Sequence, residues 1–297
     1  MITNISTTLS QERYFRFLIL APALIIVAFL TIFPIVSVFY TSLHKYSYMQ
    51  GTKSFIGFNN FIRLANDRFF LVSLKNTFEF AILSTGSELI VGLALALLFK
   101  DNFWGRKYIL PLVVMPMLLS TMVVCATWKV LFHFDYGLFN YLLGHLGIEP
   151  IKWLTNKDIV MKSVVLVEIW QWTPLSFLIL LAGLQSIPQE LYEAARVDGA
   201  SRLRLLGHIT LPLLRHHILL VILLRSIDTF RIFDKVYALT GGGPGNATET
   251  ISFYIYREGF NYFHIDRAAA ASVVMLLIVA AISAVYIKII FREQAED

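Results

Sequence analysis

Six stretches of this chain are apolar for long enough to cross a lipid bilayer: roughly residues 17–43, 73–99, 108–131, 160–183, 213–237 and 268–291. A spanning helix needs about 20 predominantly apolar residues. Inside hydrocarbon no water pairs with backbone amides, so each run must satisfy its own hydrogen bonds as a helix. The predicted fold class is therefore all-α integral membrane, with six transmembrane helices. Pro22 and Pro34 in the first run and Pro174 in the fourth free a carbonyl and kink the axis, which neighbouring helices tolerate. The last run is alanine-rich from Arg267, and small residues permit close helix contact.

Composition agrees. Charged residues make up only 15% of the 297 positions, against 57% hydrophobic; soluble domains carry about a quarter charged residues. The net charge is +5, but the basic residues cluster between apolar runs. That pattern suits anionic headgroups and topology control, and no nucleic-acid partner is expected. The single cysteine, Cys125, lies inside an apolar run and reads as a small core hydrophobe. The first run exceeds the ~7–15 residues of a signal-peptide core, so it reads as a span.

Lysine and arginine in the connecting segments set the orientation. Arg13, Arg16, Lys100, Arg106, Lys107, Arg196, Arg202, Arg204, Lys288 and Arg292 fall on one side. Lys45, Lys53, Arg63, Arg68, Lys152, Lys157 and Arg257 fall on the other. Ten against seven puts residues 1–16, the tail 292–297 and both termini in the cytoplasm. The outer loops 44–72, 132–159 and 238–267 are longer and carry Tyr46, Tyr48, Phe55, Phe58, Phe61, Trp153, Tyr254, Tyr256 and Tyr262. These aromatics suit short interfacial helices, partner docking, or the interfacial belt.

No catalytic motif is present. The sequence lacks a phosphate loop, H-E-x-x-H and G-x-S-x-G. The adjacent His216 and His217 point about 100° apart on a helix and cannot share a metal. Catalytic, metal and cofactor-binding residues are all expected to be absent.

The most informative segment is the inner loop 184–212. Ser186 and Gln189 have capping-box spacing, and Pro188 fits a first helical turn. Glu190 to Val197 is then a short helix of good formers, and Gly199 supplies a left-handed turn. A second short helix, about 201–208, is expected to stop near Pro212. The result is a helix–turn–helix elbow. Ala194 and Ala195 keep it thin enough for another protein's groove, although an amphipathic loop on the headgroups fits the same residues.

Glu193-Ala194-Ala195, Gly199 and the trailing Ile209-Thr210-Leu211-Pro212 resemble the signature of permease subunits in binding-protein-dependent ABC importers. The resemblance implies that Glu190, Glu193, Ala194, Ala195, Asp198 and Gly199 couple the chain to an ATPase subunit. Phe230 to Pro244, with Gly241, Gly242, Gly243 and Pro244 in an outer loop, is similar to the first of two paired permeases in carbohydrate importers of the maltose type. The relatives meant are the short six-span ones, without extra N-terminal spans or a large insertion. Residues 17–291 would then form one permease domain in the bacterial cytoplasmic (inner) membrane. Its implied partners are a second, homologous permease, two copies of a cytoplasmic ATPase that holds ATP and magnesium, and an extracytoplasmic (periplasmic or lipid-anchored) binding protein delivering a sugar or sugar derivative. Alternatives are an ABC permease for a non-sugar solute or an ion-coupled secondary transporter.

Ionisable residues in spans are costly and usually face a cavity or a partner. Arg225, Asp228, Arg231 and Asp234 recur at steps of three, so each can meet an opposite charge. Arg231 and Asp234 read as structural, and Arg225 and Asp228 as substrate-path candidates. Glu88, Glu168, Trp170, Gln171 and Trp172 complete the polar set in the spans. The tryptophan–glutamine cluster and Glu88 suit a sugar path, and equally suit buried helix packing. Glu79, nearer a span end, reads as interfacial.

Overall fold

The computed structural model describes residues 3–47 and 52–294. Tyr48 and the extreme ends of the two terminal segments lie outside the described residues. The chain runs α1 (Thr3–Ser42), β1 (His44–Ser47), β2 (Thr52–Phe55), α2 (Asn59–Ala65), α3 (Arg68–Phe99), α4 (Arg106–Val114), α5 (Thr121–Leu131), α6 (Leu138–His145) and α7 (Val160–Ser186). There follow α8 (Gln189–Val197), α9 (Arg202–Leu205), α10 (Leu211–Phe230), α11 (Asp234–Leu239), α12 (Ile251–Tyr256) and α13 (Ile265–Gln294).

Five helices are long and apolar enough to span, and a bent pair makes a sixth if counted as one span. Burial grades the bundle. In α7, 61% of the most apolar window is buried; in α1, none is. From Ile19 onward the apolar side chains of α1 face outward, as do many of those of α13, as lipid-facing helices must. The central pair is α3 with α7. It closes at Gly92, where a Cβ would stand 2.9 Å from the Ser176 Cβ and 3.0 Å from the Phe177 amide nitrogen. Of three apolar clusters among the described residues, the smallest (Leu64, Phe70, Tyr254, Ala270 and Ala271) joins α2, α3, α12 and α13, and the two larger form layers within the bundle. Phe80, Val124, Trp128, Val164 and Val236 pack toward one end. Ala96, Phe99, Phe177, Leu180, Leu184 and Leu214 pack toward the elbow end.

Four expectations are corrected. The third apolar run is not one continuous helix: α4 and its 3-10 extension Met115–Leu118 meet α5 at 99°. Pro111 and Pro116 remove amide donors there, and Leu119 and Ser120 are extended. The side-chain amide of Gln171 donates to the Leu119 carbonyl (3.1 Å), so the break has a partner inside the protein. The fifth run does not continue to residue 237. Its helix ends at Phe230, and α11 starts anew at Asp234. Asp234 is therefore not part of a continuous stripe with Arg225.

The elbow's second helix does not stop at Pro212. A π-helical turn, Leu206–Thr210, carries it into α10, with Pro212 in the first turn where its missing amide costs little. The Ser186–Gln189 capping box does not form; Ser186 Oγ donates to the Gly183 carbonyl (2.8 Å), and Pro188 stands at the N-cap of α8.

The loops opposite the elbow have more structure than expected. Residues 44–55 form an antiparallel hairpin, His44 opposite Phe55 and Ser47 opposite Thr52. Asn60 ties it down, donating to the Ser42 (2.9 Å) and His44 (3.0 Å) carbonyls. In the second loop Asn140 is the hub. Its amide donates to the Phe134 and Ile151 carbonyls, and its oxygen accepts from the Ile151 amide and Trp153 Nε1.

Candidate functional site: a buried charge tetrad and an exposed elbow

Midway along the bundle, between the two apolar layers, α3, α7, α10 and α11 each contribute one charged side chain. Arg225 is 1% exposed and Glu88 0%. Arg225 donates through Nε to Glu88 Oε2 (2.5 Å) and through Nη2 to Glu88 Oε1 (3.1 Å) and Glu168 Oε1 (2.5 Å). The other Glu168 oxygen accepts from Lys235 Nζ (2.5 Å). The two carboxylates and two cations are neutral as a set. Isolated charges at this depth cost several kcal/mol each, so the pairing is what lets the four coexist.

Position follows from local sequence. Thr229 Oγ1 donates to the Arg225 carbonyl (2.8 Å) in the last turn of α10. Thr250 Oγ1 donates to the Ile232 carbonyl (3.0 Å) just beyond it. The chain turns there, and α11, opening on Asp234, brings Lys235 back into the core at 1% exposed.

A cavity of about 350 Å³ opens beside the tetrad, lined among others by Glu168, Trp172, Arg225, Asp228, Arg231 and Lys235. The Trp172 ring lies 5.1 Å from the Arg225 guanidinium carbon and 6.0 Å from Lys235 Nζ. Asp228 bridges Arg231 (2.9 Å) and reaches Arg225 at 3.5 Å. Both Asp228 and Arg231 are exposed, so this pair contributes little.

The sequence candidates therefore separate. Glu88, Trp172, Arg225 and Asp228 gather at the tetrad and its cavity. Gln171 is buried and holds the bent span, while Trp170 packs edge-on against Trp128 (5.7 Å), away from the cavity lining. Lys235 was not singled out as a site residue, nor was Glu168. The available signal was a glutamate and a lysine in neighbouring apolar runs, each needing an opposite charge. Glu79 is exposed.

The glycine-rich segment lies at the end away from the elbow. Thr240 and Thr248 share a hydroxyl hydrogen bond (2.7 Å), Thr248 donates to the Gly243 carbonyl (2.8 Å), and Gly241, Gly242 and Pro244 complete the turn. Asn76 of α3 donates to the Asn246 (2.9 Å) and Glu249 (3.0 Å) carbonyls, pinning the loop to the bundle. Beneath it Arg257 Nη1 pairs with Glu249 Oε2 (2.6 Å). Burial pushes the Glu249 carboxyl up to about 7 despite Arg257.

At the opposite end α8 and α9 form the elbow. Gly199 turns the chain with φ +77°, a conformation that side chains resist. Glu190, Glu193, Ala194, Asp198 and Gly199 are exposed and Ala195 is half-buried. Two large apolar side chains, Val197 (89%) and Leu203 (81%), stand almost fully exposed on the elbow.

Five helices long and apolar enough to span, a bent helix pair, a polar cavity inside the bundle and an exposed elbow define a helical membrane protein with a charged pocket in its interior. The family model for "binding-protein-dependent transport system inner membrane component" matches residues 88–292, and the chain belongs to that family, the permease subunits of ABC importers. It is 36% identical to the trehalose/maltose transport system permease of Thermococcus litoralis, over 97% of this chain and 98% of the relative. It is 35% identical to the sulfoquinovosyl glycerol transport system permease of Agrobacterium fabrum, over 94% and 91%. Among solved structures, a bacterial ABC transporter involved in import of the acidic polysaccharide alginate matches with a TM-score of 0.80, at 25% identity over 94% of this chain and 97% of that one. The crystal structure of an alginate ABC transporter in complex with an alginate pentasaccharide-bound periplasmic protein gives the same TM-score at 24% identity, covering 93% of each chain.

Proposed function

We propose that this permease passes a neutral saccharide or sugar derivative through the cavity beside the tetrad. The observation that carries the reading is charge balance. The cavity wall contains three acidic residues, Glu168, Asp228 and Asp234, and three basic ones, Arg225, Arg231 and Lys235. Arg225 already meets Glu88 and Glu168, so it has little positive charge left for an anionic group. A wall rich in donors and acceptors but without net charge suits hydroxyl groups, and Trp172 offers a ring beside them. The names of two relatives aligned over most of their length, the trehalose/maltose and trehalose permeases, support a neutral saccharide, while the sulfonated sulfoquinovosyl glycerol of a third supports the saccharide class alone.

In this reading the elbow is cytoplasmic, as are both termini, and the glycine-rich loop faces outward. Glu190, Glu193, Ala194, Ala195, Asp198 and Gly199 dock into a groove of the ATPase, and Val197 and Leu203 are the apolar contacts it covers. Two ATPase copies bind ATP and magnesium and perform the hydrolysis. This chain binds no cofactor and is not itself an enzyme. A second, homologous permease completes the pathway, and a binding protein delivers the sugar.

The test is uptake by proteoliposomes containing the complex purified with this chain, its binding protein added on the outer side. Neutral saccharides should be accumulated with ATP hydrolysis, and Trp172→Ala should raise the apparent KM for them. Accumulation of acidic saccharides alone, with the Trp172→Ala KM unchanged, would contradict the cavity assignment.

A further inference from the structure

Among the described residues, α8 buries one side chain, Tyr192. Its ring enters the apolar layer of Ala96, Phe99, Leu184, Ile187 and Leu205. Its hydroxyl lies 3.2 Å from Thr210 Oγ1, which donates in turn to the Leu205 carbonyl (3.3 Å) across the π-helical turn. Lys100, the C-cap of α3, places its ammonium 3.2 Å from the ring centroid. A polar-walled cavity of about 280 Å³, lined by Lys100, Asp101, Gln185, Gln189 and Arg196, leaves space beside the ring.

One ring therefore meets the end of α3, the exit from α7 and the start of α10. Those helices carry Glu88, Glu168 and Arg225. The elbow's second helix runs on into α10 through the π-helical turn, whereas α8 reaches the ends of α3 and α7 through this ring. We propose that Tyr192 is the pin through which displacement of the elbow reaches the three tetrad-bearing helices together. It is a positioning residue for coupling, and the inference rests on the elbow being the ATPase-docking segment. The ring is the working part: it wedges between helix ends, and Lys100 holds it there by cation–π attraction. The hydroxyl keeps the π-helical turn in register with α8.

The readout is the number of substrate molecules transported per ATP hydrolysed by the purified complex in proteoliposomes. Tyr192→Ala is expected to lower that ratio at least about fivefold, the low end of coupling energies between linked sites. The ATPase should still co-purify, since the docking face is untouched. Tyr192→Phe keeps the ring and should restore most of the ratio, and Lys100→Met should fall between the two. Should Tyr192→Ala fail to assemble, Lys100→Met and Thr210→Val decide: a lowered ratio in Lys100→Met supports the pin. An unchanged ratio in assembled Tyr192→Ala, or in both substitute variants, overturns it. Failure of the elbow assignment shows separately, as retention of the ATPase by Glu193→Lys.

Discussion

Arg225 shows how one residue sets the chemistry of its surroundings. Removing it leaves Glu88 and Glu168 facing each other in a site with almost no access to water. Removing one partner from a buried ion pair costs about 3–5 kcal/mol. Arg225→Met should therefore lower the thermal unfolding temperature of the purified permease sharply, and adding Glu88→Gln should recover part of the loss. Equal unfolding temperatures for wild type and single variant would mean the tetrad does not hold the bundle. Outside the spans, Glu249 ties stability to pH. Its folded-state value of about 7 lies above the ordinary 4.5, so the folded loop binds the proton more tightly than the unfolded chain. The contribution of Glu249 to stability is then fully present below about pH 4.5 and is lost as pH rises toward and through 7. Amide exchange across residues 240–257 should be faster at pH 8 than at pH 5, beyond the intrinsic change, and Glu249→Gln should abolish the difference. Lys235 was the residue least legible in the sequence. It sits in an apolar run, but its burial depends on α10 ending at Phe230, which side chains from other segments decide.

At the scale of elements, apolar run length predicted the helices because hydrocarbon leaves the backbone no other choice. Run length does not reveal where a helix breaks. The break between α4 and α5 is stabilised from outside by Gln171, fifty-two positions away. Gln171→Leu leaves the Leu119 carbonyl unpaired, at about 1–3 kcal/mol. Amide exchange around residues 115–121 should accelerate while the elbow remains unchanged; unaltered exchange there would show that another group holds the break. The elbow was legible in part. Gly199 marked the turn because only a glycine accepts φ +77° without strain. Pro212 misled, because proline stops a helix only where an amide is needed, and the π-helical turn before it removes that need.

For the whole molecule, the arrangement has a mechanical logic. The elbow lies at one end, the pinned glycine-rich loop at the other, and the charge tetrad between them on four separate helices. Three of those helices converge on Tyr192, so a push at the elbow is felt at mid-depth. Five long apolar helices, the elbow's turn at Gly199 and the glycine-rich turn at Gly241 and Gly242 could be read from run length and motif. The cavity could not, since it exists only where four elements distant in sequence meet. The most direct test of the account is to purify the tagged chain gently from its native membranes, as wild type and as Glu193→Lys, and identify the co-purifying proteins by mass spectrometry. The account predicts a second permease in both samples and an ATPase in the wild type alone. An ATPase retained undiminished in Glu193→Lys, or a chain that emerges without one in both samples, would contradict it.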